Sequence, residues 1–265
     1  MPTHLPLVSI VTVTYNAEKY LESTINNILS QTYPHIEYII IDGNSTDATV
    51  SIIEKYKDKL KYWESKKDKG MYDAINKGFA KAEGQILAYL NADDLYFEQT
   101  TVEKIVNIFT KTQADLVIGN TTYIDEVGEV LYKYRLPSIT KNYVNRLQRL
   151  PFSQAACFWA RTAYDEVQGF DTNLRLAADT KFFYALINKD KKIAQTSDTV
   201  ALFRIHEDGY TTKAQAEMIY EGINMLKELK IYDTSFTGNL TRNIYEVMYK
   251  LYNVNVYINR FLGRR

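Results

Sequence analysis

The chain has 265 residues, 46% of them hydrophobic, enough for one large domain or one domain with an appendage. Lys plus Arg and Asp plus Glu balance at 32 each, so net charge gives no argument for a nucleic-acid partner. One cysteine, Cys157, excludes an internal disulfide and a cysteine-built zinc cluster. The opening Met1-Pro-Thr-His-Leu-Pro6 has no basic stretch before an apolar run, which argues against a signal peptide. No apolar run reaches the ~18 residues of a membrane span, so a cytoplasmic protein is expected.

In chain order, Leu7 to Val13 is β-branched and apolar and predicts a strand buried on both faces, ending at Thr14-Tyr15-Asn16. A helix follows, with Tyr20, Leu21, Thr24, Ile25, Ile28 and Leu29 on one face, closed by Pro34. Ile36 to Ile41 predicts a second buried strand that ends at Asp42-Gly43-Asn44-Ser45-Thr46-Asp47. The next helix carries Val50, Ile53 and Tyr56 inward, and Lys61 to Glu64 predicts a short third strand. Met71, Ala74, Ile75, Gly78, Phe79 and Ala82 make one helical face, terminated by Gly84. Gln85 to Leu90 is a fourth strand and runs directly into Asn91-Ala92-Asp93-Asp94.

Beyond it, Gln99 to Thr110 predicts a helix, and Asp115 to Gly119 starts a strand. Glu126-Val127-Gly128 reads as the turn of a hairpin between Thr121–Asp125 and Glu129–Arg135. Further expectations are a helix over Thr140 to Leu150, a strand over Phe152 to Ala160, a helix over Thr180 to Asn188 and a strand over Ile193 to Ile205. Two helical patterns close the chain, Ala214 to Lys230 and Asn239 to Leu262. The division expected is a catalytic unit over 1–212 and a helical extension over 213–265.

Strand and helix alternating through residue 90 predict a parallel α/β sheet, in which ligands bind beyond the carboxyl ends of the strands. Three strands end in polar clusters, at Thr14-Tyr15-Asn16, Asp42 and Asn91 to Asp94, so all three should face one crevice. Adjacent carboxylates after a buried strand resist joint ionisation. A hard divalent cation, Mg²⁺ or Mn²⁺, removes that cost and can grip a diphosphate. The plain alternative is that Asp94 caps the helix that follows.

Taken together, Val8-Ser-Ile-Val-Thr-Val-Thr-Tyr-Asn16, Ile40-Ile-Asp-Gly-Asn-Ser-Thr-Asp47, Asp68-Lys-Gly-Met-Tyr-Asp-Ala-Ile-Asn-Lys-Gly78, Leu90-Asn-Ala-Asp-Asp94, Gly169-Phe-Asp171 and Ala178-Asp179 resemble, in order and spacing, the motifs of the family 2 glycosyltransferases. The resemblance runs from about Leu7 to Gly209, roughly three quarters of the chain. It implies the GT-A fold, a Rossmann-like and mostly parallel sheet flanked by helices, here with a C-terminal helical extension. It also implies inverting transfer from a nucleotide-sugar donor, with uridine the first choice, to a saccharide or lipid-linked saccharide acceptor. Many relatives carry Asp where this chain has Asn91, which places metal binding on Asp93 and Asp94.

On that resemblance Thr14, Tyr15 and Asn16 line the nucleobase, and Asp42 accepts from an imide N–H, unless it merely makes an Asx-turn. Asp68 and Asn76 serve the base and sugar-phosphate region, Asp68 doubling as a helix cap. Asn91 and Asp93 meet the ribose and metal region, and Asp94 the Mn²⁺ or Mg²⁺ ion. Arg204 grips the diphosphate, and His206 is a further metal or phosphate ligand unless it is incidental to its loop. Asp179 matches the general base or else caps its helix, with Asp171 next in line.

A nucleotidyltransferase would resemble a Gly-rich first loop, which Thr14 to Glu18 lacks. A binding module without turnover draws some support from Asn91. In the tail, Ile244, Met248, Leu251, Tyr252, Ile258, Phe261 and Leu262 fall largely on one helical side. That face suits packing on the catalytic unit or on a second subunit, or else peripheral contact at the inner membrane face with tyrosines at headgroup level.

Overall fold

The apolar run that opens the chain becomes β1 (Val8–Thr14), buried along its whole length. It is hydrogen-bonded on both sides, to β2 (Ile36–Asp42) and to β4 (Ile86–Tyr89), both parallel to it. The computed structural model describes residues 5–209 and 214–253. Beyond β2 lies β3 (Tyr62–Ser65), also parallel. Beyond β4 the sheet becomes mixed, continuing through β8 (Cys157–Ala160), β6 (Leu116–Ile124), β9 (Ile193–Arg204) and β5 (Leu95–Tyr96), while β7 (Val130–Tyr134) pairs with β6. Strands β1 to β4, β6 and β9 point one way, and β5, β7 and β8 the other.

Both faces of the sheet are covered, which is why its central strands read as unbroken apolar runs. Along β1 the side chains alternate. Val8 and Ile10 enter a core with α1 (Leu21–Leu29), α2 (Thr49–Tyr56) and α4 (Thr101–Thr112). Val11 and Val13 enter the opposite core with α3 (Met71–Lys81) and α7 (Ala178–Asn188). A fully buried Val or Ile contributes about 1.5–3 kcal/mol over exposure, so these strands form a rigid floor for whatever lies at their ends. Gly78 lets α3 lie flush on that floor, because a Cβ there would sit 2.4 Å from Val11 Cγ1. Such close seating fixes where the amino end of α3 arrives over the strand ends.

The remaining helices are α5 (Lys141–Leu147), α6 (Arg161–Glu166), α8 (Gln215–Glu228) and α9 (Phe236–Tyr252). Several expectations shift. The strand expected over Phe152 to Ala160 begins at Cys157, preceded by a 3-10 turn at Gln154–Ala156 that the Ser153 hydroxyl caps. Strand β5 falls in what read as a connection, pairing Leu95 with Leu202.

The last helix turns the other way from its periodicity. Ile244, Met248 and Leu251 are half exposed or more, while Tyr249 is buried. Helix α9 packs instead through Tyr245 against Tyr143, through Tyr249 against Tyr134 and through Arg149, which pairs with Glu246 and lies over the Tyr249 ring. Ring stacking and a cation–π contact outweigh simple aliphatic burial here. Ile258, Phe261 and Leu262 lie outside the described residues. Among the described residues no helix is long and apolar enough to cross a membrane.

Candidate active site

The carboxyl ends of β1, β2, β4, β6 and β9 share one edge of the sheet, and the polar clusters gather there. The loops after β1 and β2 are stitched together. Asn16 N donates to Ser45 Oγ (2.8 Å), Ala17 N to Thr49 Oγ1 (2.8 Å) and Glu18 N to Asp47 Oδ2 (3.1 Å). In return Thr46 N donates to Asn16 Oδ1 (2.9 Å) and Ala48 N to Glu18 Oε2 (2.8 Å). Asn16 holds φ 49°, a left-handed conformation that Asn tolerates. The hydroxyl- and carboxylate-rich Asn-Ser-Thr-Asp run therefore acts largely as loop scaffolding. Tyr15 escapes it and is 64% exposed, a free ring face at the mouth.

Asp42 is fully buried at the end of β2 and makes the Asx-turn. Its Oδ2 accepts from Asn44 N (3.1 Å), Ser45 N (2.9 Å) and Ser65 Oγ (2.6 Å), and its Oδ1 accepts from Ser45 Oγ. Asp68 stands beside it: its Oδ2 would lie 2.9 Å from a Cβ on Gly43, with the Tyr15 ring at 3.4 Å. Its Oδ1 accepts from Gly70 N (2.8 Å), holding the turn ahead of α3 rather than capping the helix itself.

At the end of β4 the two carboxylates differ. Asp94 is 1% exposed; its Oδ1 accepts from Arg204 N (3.0 Å), and its Oδ2 has no hydrogen-bond partner. Burial, with the neighbouring Asp93 charge, pushes its carboxyl well above the usual range. Asp93 is more open, and its Oδ2 lies 2.9 Å from His206 Nε2. Asn91 Oδ1 and Thr14 Oγ1 are likewise buried without a partner. Orphaned acceptor oxygens at a buried strand end are costly, and a hard cation is the group that relieves them. Among the described residues no three His, Cys, Asp or Glu side chains converge as a complete ligand set. The donor set therefore fits an ion held by one or two carboxylates and otherwise by groups from outside the chain.

Arg204 is 7% exposed and committed to backbone. Its Nε donates to Asp93 O (3.0 Å) and its Nη1 to Asp125 O and Glu126 O (both 3.0 Å). The guanidinium carbon lies 4.8 Å from the Tyr20 ring centroid, and the His206 ring lies 4.8 Å from the same ring. Arg204 thus clamps the carboxylate loop to the loop after β6. Asn76 is similarly occupied. Its Nδ2 donates to Phe170 O (2.7 Å), and its Oδ1 accepts from Phe170 N (3.0 Å) and Tyr164 Oη (2.9 Å), so it ties α3 to the Gly169-Phe170-Asp171 turn.

Asp179 sits in the first turn of α7, where a negative charge is favoured by the helix dipole. Its Oδ1 accepts from Thr180 N (2.6 Å) and from Tyr72 Oη (3.1 Å), which links the start of α7 to the first turn of α3. Burial raises its carboxyl above the ordinary value, against the pull of those donors. Asp171 goes the other way: an ion pair with Lys181 lowers it. Of the two, Asp179 is the better proton acceptor. Tyr72, which donates to Asp179, also lines a polar cleft of about 390 Å³ together with Asp68, Lys69, Thr172 and Arg175.

Sequence reasoning missed Tyr72, since the chain has 22 tyrosines and nothing local marks this one. It also missed Glu221 of α8, which accepts from the backbone N–H groups of Arg175, Leu176 and Ala177.

The model of a known family, Glycosyl transferase family 2, matches residues 9–171. A Rickettsia bellii protein described as a glycosyltransferase is 28% identical over 209 residues, covering 77% of this chain but 28% of its own length. The chain thus spans little more than a quarter of that relative. Bacillus subtilis TuaG, described as a teichuronic acid biosynthesis glycosyltransferase, is 25% identical over 203 residues, covering 76% of this chain and 79% of TuaG. In structure the chain is similar to Staphylococcus aureus TarS 1-349, solved with UDP-GlcNAc: TM-score 0.69, 19% identity, 90% of this chain and 71% of that one. It is also similar to the Pyrobaculum calidifontis mannosyltransferase PcManGT, solved with GDP-Man and Mn²⁺: TM-score 0.66, 19% identity, 96% of this chain and 73% of that one. The architecture is that of the GT-A glycosyltransferases.

Proposed function

The chain belongs to glycosyl transferase family 2, and from that premise we propose that it is an inverting transferase assisted by Mn²⁺ or Mg²⁺. It moves a sugar from a nucleoside diphosphate donor, uridine being the first choice of base, to a saccharide or lipid-linked saccharide in the building of a cell-surface polysaccharide. It works at the cytoplasmic side of the membrane. The observation that carries the reading is the sheet edge that bears Asp42 after β2, with Asp68 beside it, and Asp93 and Asp94 after β4, where Asn91 Oδ1 and Asp94 Oδ2 are buried acceptors without donors. TarS, with its UDP-GlcNAc, and PcManGT, with its GDP-Man and Mn²⁺, lend the donor class and the ion; TuaG lends the polysaccharide.

Asp93 and Asp94 would hold the cation, which supplies positive charge to a leaving diphosphate, while His206, expected from the sequence as a further ligand, pairs instead with Asp93 Oδ2 at 2.9 Å. The chain's own residues do the rest. Tyr15 offers its exposed ring to the nucleobase, with Thr14 and Asn16 beside it, while Asp42, whose oxygens hold the Asx-turn, would reach an imide N–H only by giving up the Ser45 or Ser65 hydroxyl. Asp179 takes the proton of the acceptor hydroxyl while that oxygen bonds to the anomeric carbon opposite the diphosphate. The bond to the diphosphate breaks, and the configuration inverts. A positioned base of this kind contributes about 10²–10⁴-fold.

The test is thermal stability with the diphosphates of uridine, thymidine, guanosine and adenosine, each with and without Mn²⁺. A ligand at 100 times its Kd stabilises by about 2.7 kcal/mol. The expected result is an Mn²⁺-dependent rise with uridine diphosphate, lost in Asp94→Ala although that chain still folds. A rise with adenosine diphosphate in preference, or one indifferent to chelator, overturns the assignment.

A further inference from the structure

Within helix α7 the one first-turn amide taken by a side chain of the helix itself is that of Thr180, which donates to Asp179 Oδ1. The cap position of the helix is Ala177, which has no capping side chain, and its first residue is Ala178. The amide groups of the cap and of the two residues ahead of it also need partners. They find them 44 to 46 residues downstream, on α8. Glu221 Oε1 accepts from Arg175 N (2.8 Å), and Oε2 accepts from Leu176 N (2.6 Å) and Ala177 N (2.8 Å). One carboxylate thus collects three consecutive backbone donors, a charge-assisted arrangement that also places negative charge at the positive end of the helix.

Asp179 lies two residues past the last of these donors. The segment that leads into it has open volume on both sides. The polar cleft of about 390 Å³ lies between it and the start of α3. A more apolar cavity of about 550 Å³ lies between it and α8, and Leu174 and Arg175 line both. The segment is therefore a thin wall. Asp171, paired with Lys181 of α7, anchors it at one end, and Glu221 anchors it at the other.

We propose that Glu221 is a positioning residue for sugar transfer: it clamps residues 175–177 from the extension and so sets where Asp179 stands. The proposal rests on the transferase reading above. It makes α8 part of the catalytic unit although the family match ends at residue 171. A displacement of about 1 Å at a reacting group can cost about 10²-fold in rate, so a wall that moves is felt in turnover.

The experiment uses the full chain with Glu221→Ala, Glu221→Gln and the control Glu217→Ala, which lines the same cavity. Amide hydrogen exchange of 175–177, thermal stability, kcat and donor KM are read on each. Expected for Glu221→Ala are faster exchange at 175–177, kcat down tenfold or more, and donor KM within twofold. Glu221→Gln, which keeps one acceptor oxygen, falls between, and Glu217→Ala matches wild type. Unchanged exchange at 175–177 overturns the clamp. So does faster exchange with kcat within twofold of wild type. A fall of kcat, donor affinity and melting temperature together marks a merely structural role and also overturns it. A wild-type chain that transfers no sugar from any donor fails the transferase reading instead, while exchange at 175–177 still decides the clamp.

Discussion

Replacing Arg204 should cost stability before it costs ligand. Its guanidinium donates to three backbone carbonyls, Asp93 O, Asp125 O and Glu126 O, and faces the Tyr20 ring at 4.8 Å. At the low end of about 1.5 kcal/mol per charge-assisted bond, three bonds amount to about 4.5 kcal/mol. The cation–π contact adds about 1 kcal/mol. Water reaching the vacated carbonyls restores part of this, since the loop lies at the edge of the molecule. A loss of about 3–5 kcal/mol remains for Arg204→Met, or a melting temperature lower by roughly 10 °C for a chain of this size. Arg204→Lys keeps the charge but, as a compact point donor, satisfies about one of the three carbonyls and recovers about a third of the loss. Urea unfolding followed by the fluorescence of buried Trp159 measures both. A loss below about 1 kcal/mol for Arg204→Met would refute the clamp. So would an Arg204→Lys chain as stable as wild type that has lost nucleoside diphosphate binding, since the arginine would then be a phosphate grip.

Tyr72→Phe removes a donor that favours the ionised form of Asp179, so the carboxyl, already raised by burial, rises further. The base works ionised; the acid limb of kcat should therefore move to higher pH, and a limb that stays put or moves down counts against Asp179. Asp179→Asn should lower kcat by about 10²–10⁴-fold. A carboxyl whose folded pKa is raised makes the fold less stable as pH climbs through that value, so this variant should melt no lower than wild type at neutral pH, as calorimetry can read. Gly169 holds φ +73°, and a Cβ there would lie 2.7 Å from Tyr164 Oη and 2.9 Å from Asn76 Oδ1. Gly169→Ala should lose more than about 1 kcal/mol in denaturant unfolding; a neutral result would mean the turn relaxes freely.

Periodicity made the parallel half of the sheet legible. Runs such as Val8 to Val13 and Ile36 to Ile41 need two covered faces, and parallel order then sends every polar strand end to one edge. What stayed hidden was non-local. The direction of β8 depends on partners that meet only in the fold, and the two residues of β5 carry no period at all. Arg204 read as a diphosphate grip because a sequence shows side chains, whereas its partners are carbonyls 78 to 111 residues away. Asn76 hid its tie to Phe170 in the same manner. For α9 the period was legible but not the choice of face, which Tyr143, Tyr134 and Arg149 decide from outside the helix.

The stitching of the first two loops bears on how this chain can change. Asn16 and Glu18 on one side, and Ser45, Thr46, Asp47 and Thr49 on the other, exchange donors and acceptors in both directions. Each of these bonds joins a side chain on one loop to a backbone amide on the other, so removing a side chain leaves a widowed amide across the gap that no substitution at the amide's own residue restores. The inheritable unit here is the pair of loops. A graft of residues 43–49 from a relative would bring amides at 46 and 48 that depend on the side chains of Asn16 and Glu18. A library that varies one loop while fixing its neighbour then samples mostly broken combinations.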